Sequence, residues 1–298
     1  MKSETIQLLT PQNWKAYQLI DSGGFEKLEK FGDFILRRPE PQAAWDKSLT
    51  DEEWQNRANA YFKKDKGSQE KGEWLVKKGM PDRWYMPYKT ESLDLTFKLA
   101  LSSFKHVGIF PEQANNWDFI TEKIAKMPVK QPKVLNLFAY TGGASIAAKS
   151  AGADVTHVDS IKQVISWSRD NMEASKLDNI RWVVEDALKF VKREVKRGNI
   201  YQGIILDPPA YGRGPDGEKW VLEEQINELL KNVAEILDKE NYFLILNMYS
   251  MGFSSLIVEN LVKCSFSQKL NHEFGELYLQ DEFRKKLPLG VFYRFASQ

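Results

Sequence analysis

The chain has 298 residues, 42% of them hydrophobic, and its 42 lysines and arginines nearly balance its 41 aspartates and glutamates. This length suffices for two modest domains with a sizeable core, and the net charge of +1 gives no global attraction to nucleic acid or acidic membranes. The single cysteine, Cys264, excludes a disulfide framework, and three widely separated histidines predict no metal site. Because there is no signal-peptide pattern and no apolar run of roughly 20 residues, the expected location is the cytoplasm.

Residues 1–95 are rich in tryptophan and predict a small β-rich domain. A half-buried strand is predicted where apolar residues alternate strictly with others, at Leu93, Leu95, Phe97, Leu99 and Leu101. Shorter strands are predicted at 33–36 and 74–77, with a return strand at 84–88 after a Gly/Pro turn. The polar stretch 63–72 predicts an exposed loop, and residues 96–130 a connecting segment.

From residue 131 to 298, short apolar runs alternate with helical patterns, which predicts a parallel sheet covered by helices on both faces. The predicted strands are 134–138, 155–158, 180–184, 204–206 and 242–246. The predicted helices are 144–150, one capped by Ser160, 187–197, 221–237 and 254–262. No helix separates 268–279 from 289–295, so these segments predict a closing antiparallel hairpin.

Four of these strands end in glycine or carboxylate signals, and ligands of such sheets bind beyond the carboxyl ends of the strands. The signals are Tyr140-Thr141-Gly142-Gly143, Asp159, Glu185-Asp186 and Asp207-Pro208-Pro209-Ala210-Tyr211. Glycine allows close backbone approach, an acid at the spacing of Asp159 suits ribose hydroxyls, and a carboxylate after the third strand can accept an adenine N–H. Each signal alone could be an ordinary turn or helix cap, whereas the ordered set is more specific.

The nature of the ligand follows from which motifs are present. The turn Tyr140-Thr141-Gly142-Gly143 lacks the G-x-G-x-x-G spacing with which nicotinamide dehydrogenases receive a pyrophosphate, and the phosphate-binding P-loop does not occur in the sequence. S-adenosylmethionine (SAM) has no phosphate and carries a sulfonium cation. A glycine turn followed by carboxylates therefore predicts a SAM site.

Three stretches carry a family resemblance: VLNLFAYTGGASIAAKSAGADVTHVDS, DNIRWVVEDALKFV and YQGIILDPPAYGRG. They resemble class I SAM-dependent methyltransferases. More narrowly, residues 90–298 resemble the bacterial large-subunit (23S) rRNA methyltransferases that modify cytosine at carbon 5. The resemblance implies an α/β fold with a Rossmann-like seven-stranded sheet beside the small N-terminal β-rich domain. It also implies SAM as cofactor and RNA, specifically rRNA, as partner.

The resemblance further implies site residues. The methionine part of SAM would be lined by Asn136, Phe138, Tyr140, Thr141 and Gly142. Asp159 would bind the ribose, and Asp186 with Ala187 the adenine. The predicted cofactor set is completed by Ala139, Ser160, Asp207 and, unless they belong to an ordinary linker, Phe110 and Gln113.

The chain departs from that family in two respects. It looks too short for the family's N-terminal RNA-binding domain of the PUA type in addition to the β-rich region. The family's catalytic cysteine follows the fifth strand, where this chain has Ser250, a far weaker nucleophile without a partnered base. Cys264 is expected to be a buried core thiol rather than a substitute.

These departures leave the reaction open. Asp207, the Pro208 carbonyl and Tyr211 could hold a planar amine, which makes N-methylation of a base a live hypothesis beside chemistry at Ser250. Basic residues interleaved with aromatics in residues 1–95 suit RNA, yet this region holds sixteen Lys/Arg and sixteen Asp/Glu, and its tryptophans fit a core. A protein or small-molecule acceptor, or a SAM-binding protein without transfer activity, are the alternatives.

Overall fold

The structure is a computed structural model and describes residues 5–12, 14–65, 67, 71–249, 252–266 and 271–297. Its strands are β1 (Gln7–Leu9), β2 (Tyr17–Gly23), β3 (Glu26–Phe31), β4 (Phe34–Pro39), β5 (Ala60–Lys64), β6 (Gly72–Val76), β7 (Arg83–Lys89), β8 (Asp94–Ala100), β9 (Lys133–Leu137), β10 (Asp154–Asp159), β11 (Arg181–Val184), β12 (Gly203–Leu206), β13 (Tyr211–Arg213), β14 (Lys219–Val221), β15 (Phe243–Met248), β16 (His272–Gln280) and β17 (Lys286–Ala296). Its helices are α1 (Asp51–Arg57), α2 (Ala114–Lys126), α3 (Gly143–Ser150), α4 (Lys162–Ala174), α5 (Ala187–Arg197), α6 (Leu222–Ile236) and α7 (Ser255–Ser265).

The chain packs as two compact units. The first comprises the described residues of Met1–Leu9, Asn115–Leu277 and Gly290–Gln298, and the second those of Thr10–Ala114 and Tyr278–Leu289. The predicted boundaries at residues 95 and 130 stay a prediction of how the chain divides into domains. The segment predicted as a connection between them contains the end of β8 and the helix α2.

Most of an eight-stranded sheet belongs to the first unit, and its strand order is β1-β16-β17-β15-β12-β9-β10-β11. Strands β9, β10, β11, β12 and β15 run parallel, and β17 is antiparallel to β15. The predicted α/β, Rossmann-like sheet with its closing hairpin is thus confirmed. Seven strands come from the predicted region, and short β1 adds an eighth, parallel to β16.

A glycine explains how β1 reaches the edge of this sheet. A Cβ at Gly275 in β16 would lie only 1.8 Å from the Gln7 carbonyl oxygen, so any side chain there would prevent the pairing. The sequence predicts residues 7–9 as part of the β-rich domain, since a strand of three residues has too little periodicity to be recognised.

Apolar runs explain why the central strands form. The four residues of β12 and the six of β15 are all buried, since helices cover both faces of the sheet. Helix α5 buries Leu188, Phe190 and Val191 and ends at Gly198, which adopts the left-handed conformation common after a helix. These elements fix the carboxyl edge of the sheet rigidly.

The second unit contains a five-stranded sheet, β2-β3-β4-β5-β6, and the two-stranded sheet β7-β8, which confirms a β-rich N-terminal region. The predicted return of residues 84–88 onto 74–77 is wrong. Strand β6 pairs with β5, whereas β7 pairs with β8 because both bury alternate residues. The predicted loop 63–72 overlaps paired residues of β5 and β6, and its residues 66 and 68–70 lie outside the described ranges.

The tryptophans of this unit are mainly structural. Trp14, Trp54 and Trp84 are buried, in agreement with the interpretation that assigned them to a core. Among the helices that the structure describes, none is long and apolar enough to cross a membrane. Within the same residues, no group of His, Cys, Asp or Glu side chains could hold a metal ion.

Candidate functional site

Strand register brings the four predicted signals to one edge of the sheet. Leu137 of β9 lies opposite both Val158 of β10 and Leu206 of β12, and Asp159 lies opposite Val184 of β11. The glycine turn, Asp159, Glu185-Asp186 and Asp207 therefore follow the aligned ends of neighbouring parallel strands. This edge is where ligands of such sheets bind.

The turn after β9 adopts an unusual backbone conformation. Phe138, Tyr140 and Gly142 have φ angles of 54°, 48° and 86°. Positive φ is costly for residues other than glycine and persists only where neighbouring groups hold it in place. The Tyr140 amide donates to Asp159 Oδ2 at 2.9 Å, and its carbonyl accepts from Ser168 Oγ at 2.7 Å.

Asp159 ends β10 and connects two loops. Its Oδ2 accepts from the Tyr140 amide and its Oδ1 from the Ile161 amide, each at 2.9 Å. Burial raises the pKa of Asp159, and these amide hydrogen bonds oppose the rise. The prediction that Ser160 caps the next helix is wrong: α4 has Ile161 at its N-cap with no side-chain bond, because Asp159 takes that amide.

The two acidic residues after β11, Glu185 and Asp186, have different hydrogen-bond partners. Asp186 is the N-cap of α5, and its Oδ1 accepts from the Lys189 amide at 2.8 Å. Glu185 instead pairs with Arg193 through both carboxylate oxygens. Asp186 is thus the residue whose carboxylate remains at the helix N-terminus, beside buried Ala187.

Asp207 begins a segment for which the sequence predicts no helix or strand. Burial raises the pKa of Asp207 to about 6. The chain then enters the hairpin β13-β14, whose Trp220 donates from Nε1 to the Pro209 carbonyl at 2.7 Å. The Trp220 ring lies 4.8 Å from that of Phe138, so the hairpin packs on the glycine turn. The glycine- and proline-rich run 212–217 was the signal that could have revealed it.

The structure joins the predicted residue Asn136 to four buried polar residues behind the turn that the sequence did not indicate, because polar residues in predicted strands and helices are expected to face solvent. Asn136 Nδ2 donates to Ser145 Oγ at 2.9 Å, and Ser145 Oγ lies 3.0 Å from His157 Nδ1. His157 Nε2 lies 3.5 Å from Ser168 Oγ, and Asn171 Nδ2 donates to the Thr141 carbonyl at 2.9 Å. A neutral His157 protonated on Nε2 satisfies both serines, so this chain of hydrogen bonds supports the turn from below.

Buried His157 should make the stability of the protein acid-sensitive. Burial lowers its pKa to about 3, whereas an unfolded histidine titrates near 6.5. The unfolded state therefore gains a proton first as pH falls, and the stability that neutral His157 contributes is full above pH 6.5 and is lost below it. In urea unfolding, wild type should lose about 2 kcal/mol more between pH 7.5 and 5 than His157→Gln. Equal losses in the two proteins would contradict this pKa.

Phe110 and Gln113 belong to the second unit, in and beside the 3-10 turn Pro111–Gln113, and their contact with the cofactor stays a prediction. Ser250 lies outside the described residues. The expectation that Cys264 is a buried core thiol is wrong: it is exposed, because α7 buries the face with Val258 and Val262.

The residues at this edge fit SAM. A Cβ at Gly142 would lie 3.2 Å from Ser168 Cβ, so glycine lets the turn fold closely against α4. The carboxylates of Asp159, Asp186 and Asp207 suit hydroxyl and amine donors and a sulfonium cation, and they would repel a phosphate.

Comparison with known proteins agrees with this chemistry. The profile of the S-adenosylmethionine-dependent methyltransferase family matches residues 57–271, more than half of the chain. The chain is 35% identical to a SAM-dependent methyltransferase from Agrobacterium tumefaciens of known crystal structure. The two superpose with a TM-score of 0.89 over 98% of this chain and 94% of that one.

Two curated relatives resemble parts of the chain. A ribosomal RNA large subunit methyltransferase K/L of Shewanella frigidimarina is 28% identical over 162 residues, and a putative ribosomal RNA large subunit methyltransferase of Methanocaldococcus jannaschii is 29% identical over a longer match. The matches cover 53% and 70% of this chain but only 22% and 49% of those proteins. The family profile spans all four strand ends described above, and the chain therefore belongs to the SAM-dependent methyltransferase family.

Proposed function

We propose that the protein methylates a base of RNA, with ribosomal RNA as the acceptor. The observation that carries this proposal is the Asp207–Tyr211 segment, which follows the end of β12 and contains a half-buried aspartate and a tyrosine that is 54% exposed. An exposed aromatic ring is suited to stacking on a base. The names of the curated relatives support the same acceptor, and an acceptor of this kind implies a cytoplasmic protein.

In this proposal the chain holds SAM at the carboxyl edge of the sheet. Asp159 binds the ribose, and Asp186 with Ala187 the adenine, with Ser160 beside them. The methionine part is contacted by Asn136, Phe138, Ala139, Tyr140, Thr141 and Gly142. SAM supplies an electrophilic methyl group, and the contribution of the chain is to position the acceptor in line with it.

The acceptor side of the site favours an amine. The Asp207 carboxylate and the Pro208 carbonyl accept its N–H groups, while Tyr211 stacks on the ring that bears it. The Pro209 carbonyl already accepts a hydrogen bond from Trp220, so the Pro208 carbonyl is the one that we assign as acceptor for the amine. The second candidate reaction, at carbon 5 of a pyrimidine, requires Ser250 to act where the resembling family has a thiol.

Mass spectrometry of rRNA nucleosides from a deletion strain and its parent tests this function. Loss of one methylated base in the deletion strain, restored by the wild-type gene and by Ser250→Ala, would establish methylation at an amine. Restoration by wild type but not by Ser250→Ala would favour carbon-5 chemistry. Identical nucleosides in the two strains would show that rRNA is not the acceptor.

Asp186 should contribute to cofactor affinity separately from helix capping. Serine caps a helix as well as aspartate, but its shorter side chain reaches less far toward the adenine amine. We expect Asp186→Ser to bind SAM about tenfold more weakly by calorimetry, with little change in its urea midpoint, and Asp186→Ala to lose affinity and about 1 kcal/mol of stability. Unchanged affinity in both variants would remove Asp186 from the adenine site.

A further inference from the structure

The two faces of the hairpin β13-β14 are chemically different. Directly opposite residues of an antiparallel pair share a face, and the pairs are Tyr211 with Val221, Gly212 with Trp220, and Arg213 with Lys219. Trp220 is buried against the glycine turn, as described above. Tyr211, Arg213 and Lys219 therefore lie together on the other face, and all three are exposed. We call these three residues the hairpin surface.

Two like charges face each other on this surface. Arg213 lies directly opposite Lys219, an arrangement that destabilises a strand pair unless an anion is present. In the parts of the chain that the structure describes, neither cation forms an ion pair with an acidic side chain; Lys219 Nζ lies instead 6.0 Å from the centre of the Tyr211 ring.

The acidic residues nearest in sequence are occupied elsewhere. Asp216 and Glu218, at the tip of the hairpin, both accept from Lys189 of α5, at 2.9 and 2.8 Å. These bonds raise the pKa of Lys189 and fasten the tip to the helix. The hairpin is therefore held at its tip by Lys189 and at its base by Trp220, and the hairpin surface keeps its positive charge.

A groove of about 510 Å³ is lined by Lys219 of the hairpin and by residues of α5. Its lining includes exposed Lys196, one helical turn beyond Lys192. Acidic side chains pair with Lys189, Lys192 and Arg193, whereas Lys219 and Lys196 add positive charge to the groove and Asp186, which also lines it, adds a negative charge.

We propose that the hairpin surface grips the sugar–phosphate backbone of a single-stranded RNA acceptor, with phosphates at Arg213 and Lys219 and the strand continuing along the α5 groove. This inference rests on the proposed function and names the part of the protein that binds its substrate. An aromatic ring flanked by unpaired cations matches the way proteins bind single strands, by stacking on bases and neutralising phosphates. The phosphate contacts read no sequence and place the base that stacks on Tyr211.

The test is the salt dependence of RNA binding. A fluorescein-labelled 12-nucleotide RNA of mixed sequence is titrated at several KCl concentrations with wild type, with Arg213→Gln/Lys219→Gln, and with the charge-preserving Arg213→Lys/Lys219→Arg. The control variant Lys130→Gln/Lys231→Gln removes two exposed charges elsewhere in the first unit. Calorimetry with SAM on each protein confirms that the cofactor site is intact, and tritiated SAM with rRNA from a deletion strain measures methyl transfer.

We plot the logarithm of the RNA association constant against the logarithm of the KCl concentration. The magnitude of the slope should fall by about 1.4 in the glutamine variant, which is the value for two phosphates of a single strand. The charge-preserving and control variants should keep the wild-type slope. An unchanged slope in the glutamine variant, or competition by polyglutamate as strong as by RNA, would overturn the inference. Wild type that binds RNA through this surface yet transfers no methyl group to rRNA would instead contradict the proposed function.

Discussion

Replacing Asp207 with alanine is expected to lower methyl transfer by roughly a hundredfold or more and to weaken SAM binding by a much smaller factor, since misplacing an acceptor by about 1 Å can cost a hundredfold in rate. Asparagine keeps one acceptor oxygen, so Asp207→Asn should retain part of the activity if the acceptor is an amine. Methyl transfer to rRNA from a deletion strain measures both variants. Activity of Asp207→Ala close to wild type would remove this residue from the acceptor site.

The pH profile gives the same residue a second readout. Because burial raises the pKa of Asp207 to about 6, its carboxylate takes up a proton as pH falls through that value and can no longer accept two N–H groups. Wild-type activity should fall below pH 6, and Asp207→Asn should lack that limb. Burial disfavours the charged form, so the asparagine variant should be no less stable than wild type at pH 8. This stability separates lost function from lost fold.

Replacing Gly142 with valine is expected to reduce SAM affinity by about tenfold or more, equivalent to about 1.4 kcal/mol. Gly142 has φ +86°, and even a Cβ would lie 3.2 Å from Ser168 Cβ. The turn has to shift to relieve both the strain and the crowding, and the backbone that contacts the cofactor shifts with it. Calorimetric titration with SAM measures the effect.

Gly152 offers a matched control, because its φ of +96° imposes similar strain and a Cβ there would meet no atom within 4 Å. Gly152→Val should lose a similar one to three kcal/mol of stability, roughly, through backbone strain alone. Its SAM affinity should equal that of wild type. If both variants lost affinity equally, general destabilisation and not the turn would be responsible.

The parallel sheet could be predicted from sequence because its strands are continuous apolar runs, and each is followed by a helix with a clear periodic pattern. Helix 187–197 was predicted with the bounds that the structure shows, since Asp186 caps it and Gly198 ends it. The common location of the predicted carboxylates could be inferred from the same pattern. Each carboxylate comes directly after a strand, and parallel pairing brings the ends of the strands to one edge of the sheet.

What escaped prediction depends on contacts between residues distant in sequence. The pairing of β6 with β5 and of β7 with β8 is decided by which buried faces match, and a local turn signal does not report this. The hydrogen-bond chain through His157 joins a strand to two helices, so its members look unrelated along the chain. Cys264 is exposed because it lies on the face of α7 that does not meet the core. Its apolar neighbours in sequence had suggested that it is buried.

The eighth strand bears on how the protein avoids self-association. Open sheet edges present unpaired amides and carbonyls to other chains, and short edge strands reduce this hazard. Without β1, the nine-residue β16 would form one edge; with it, Gln7–Leu9 cover Gly275–Leu277 and the outermost strand is three residues long. At the opposite edge, β11 has only four. The outermost strand at each border of the sheet is therefore short, which reduces the tendency of a neighbouring molecule to pair with it.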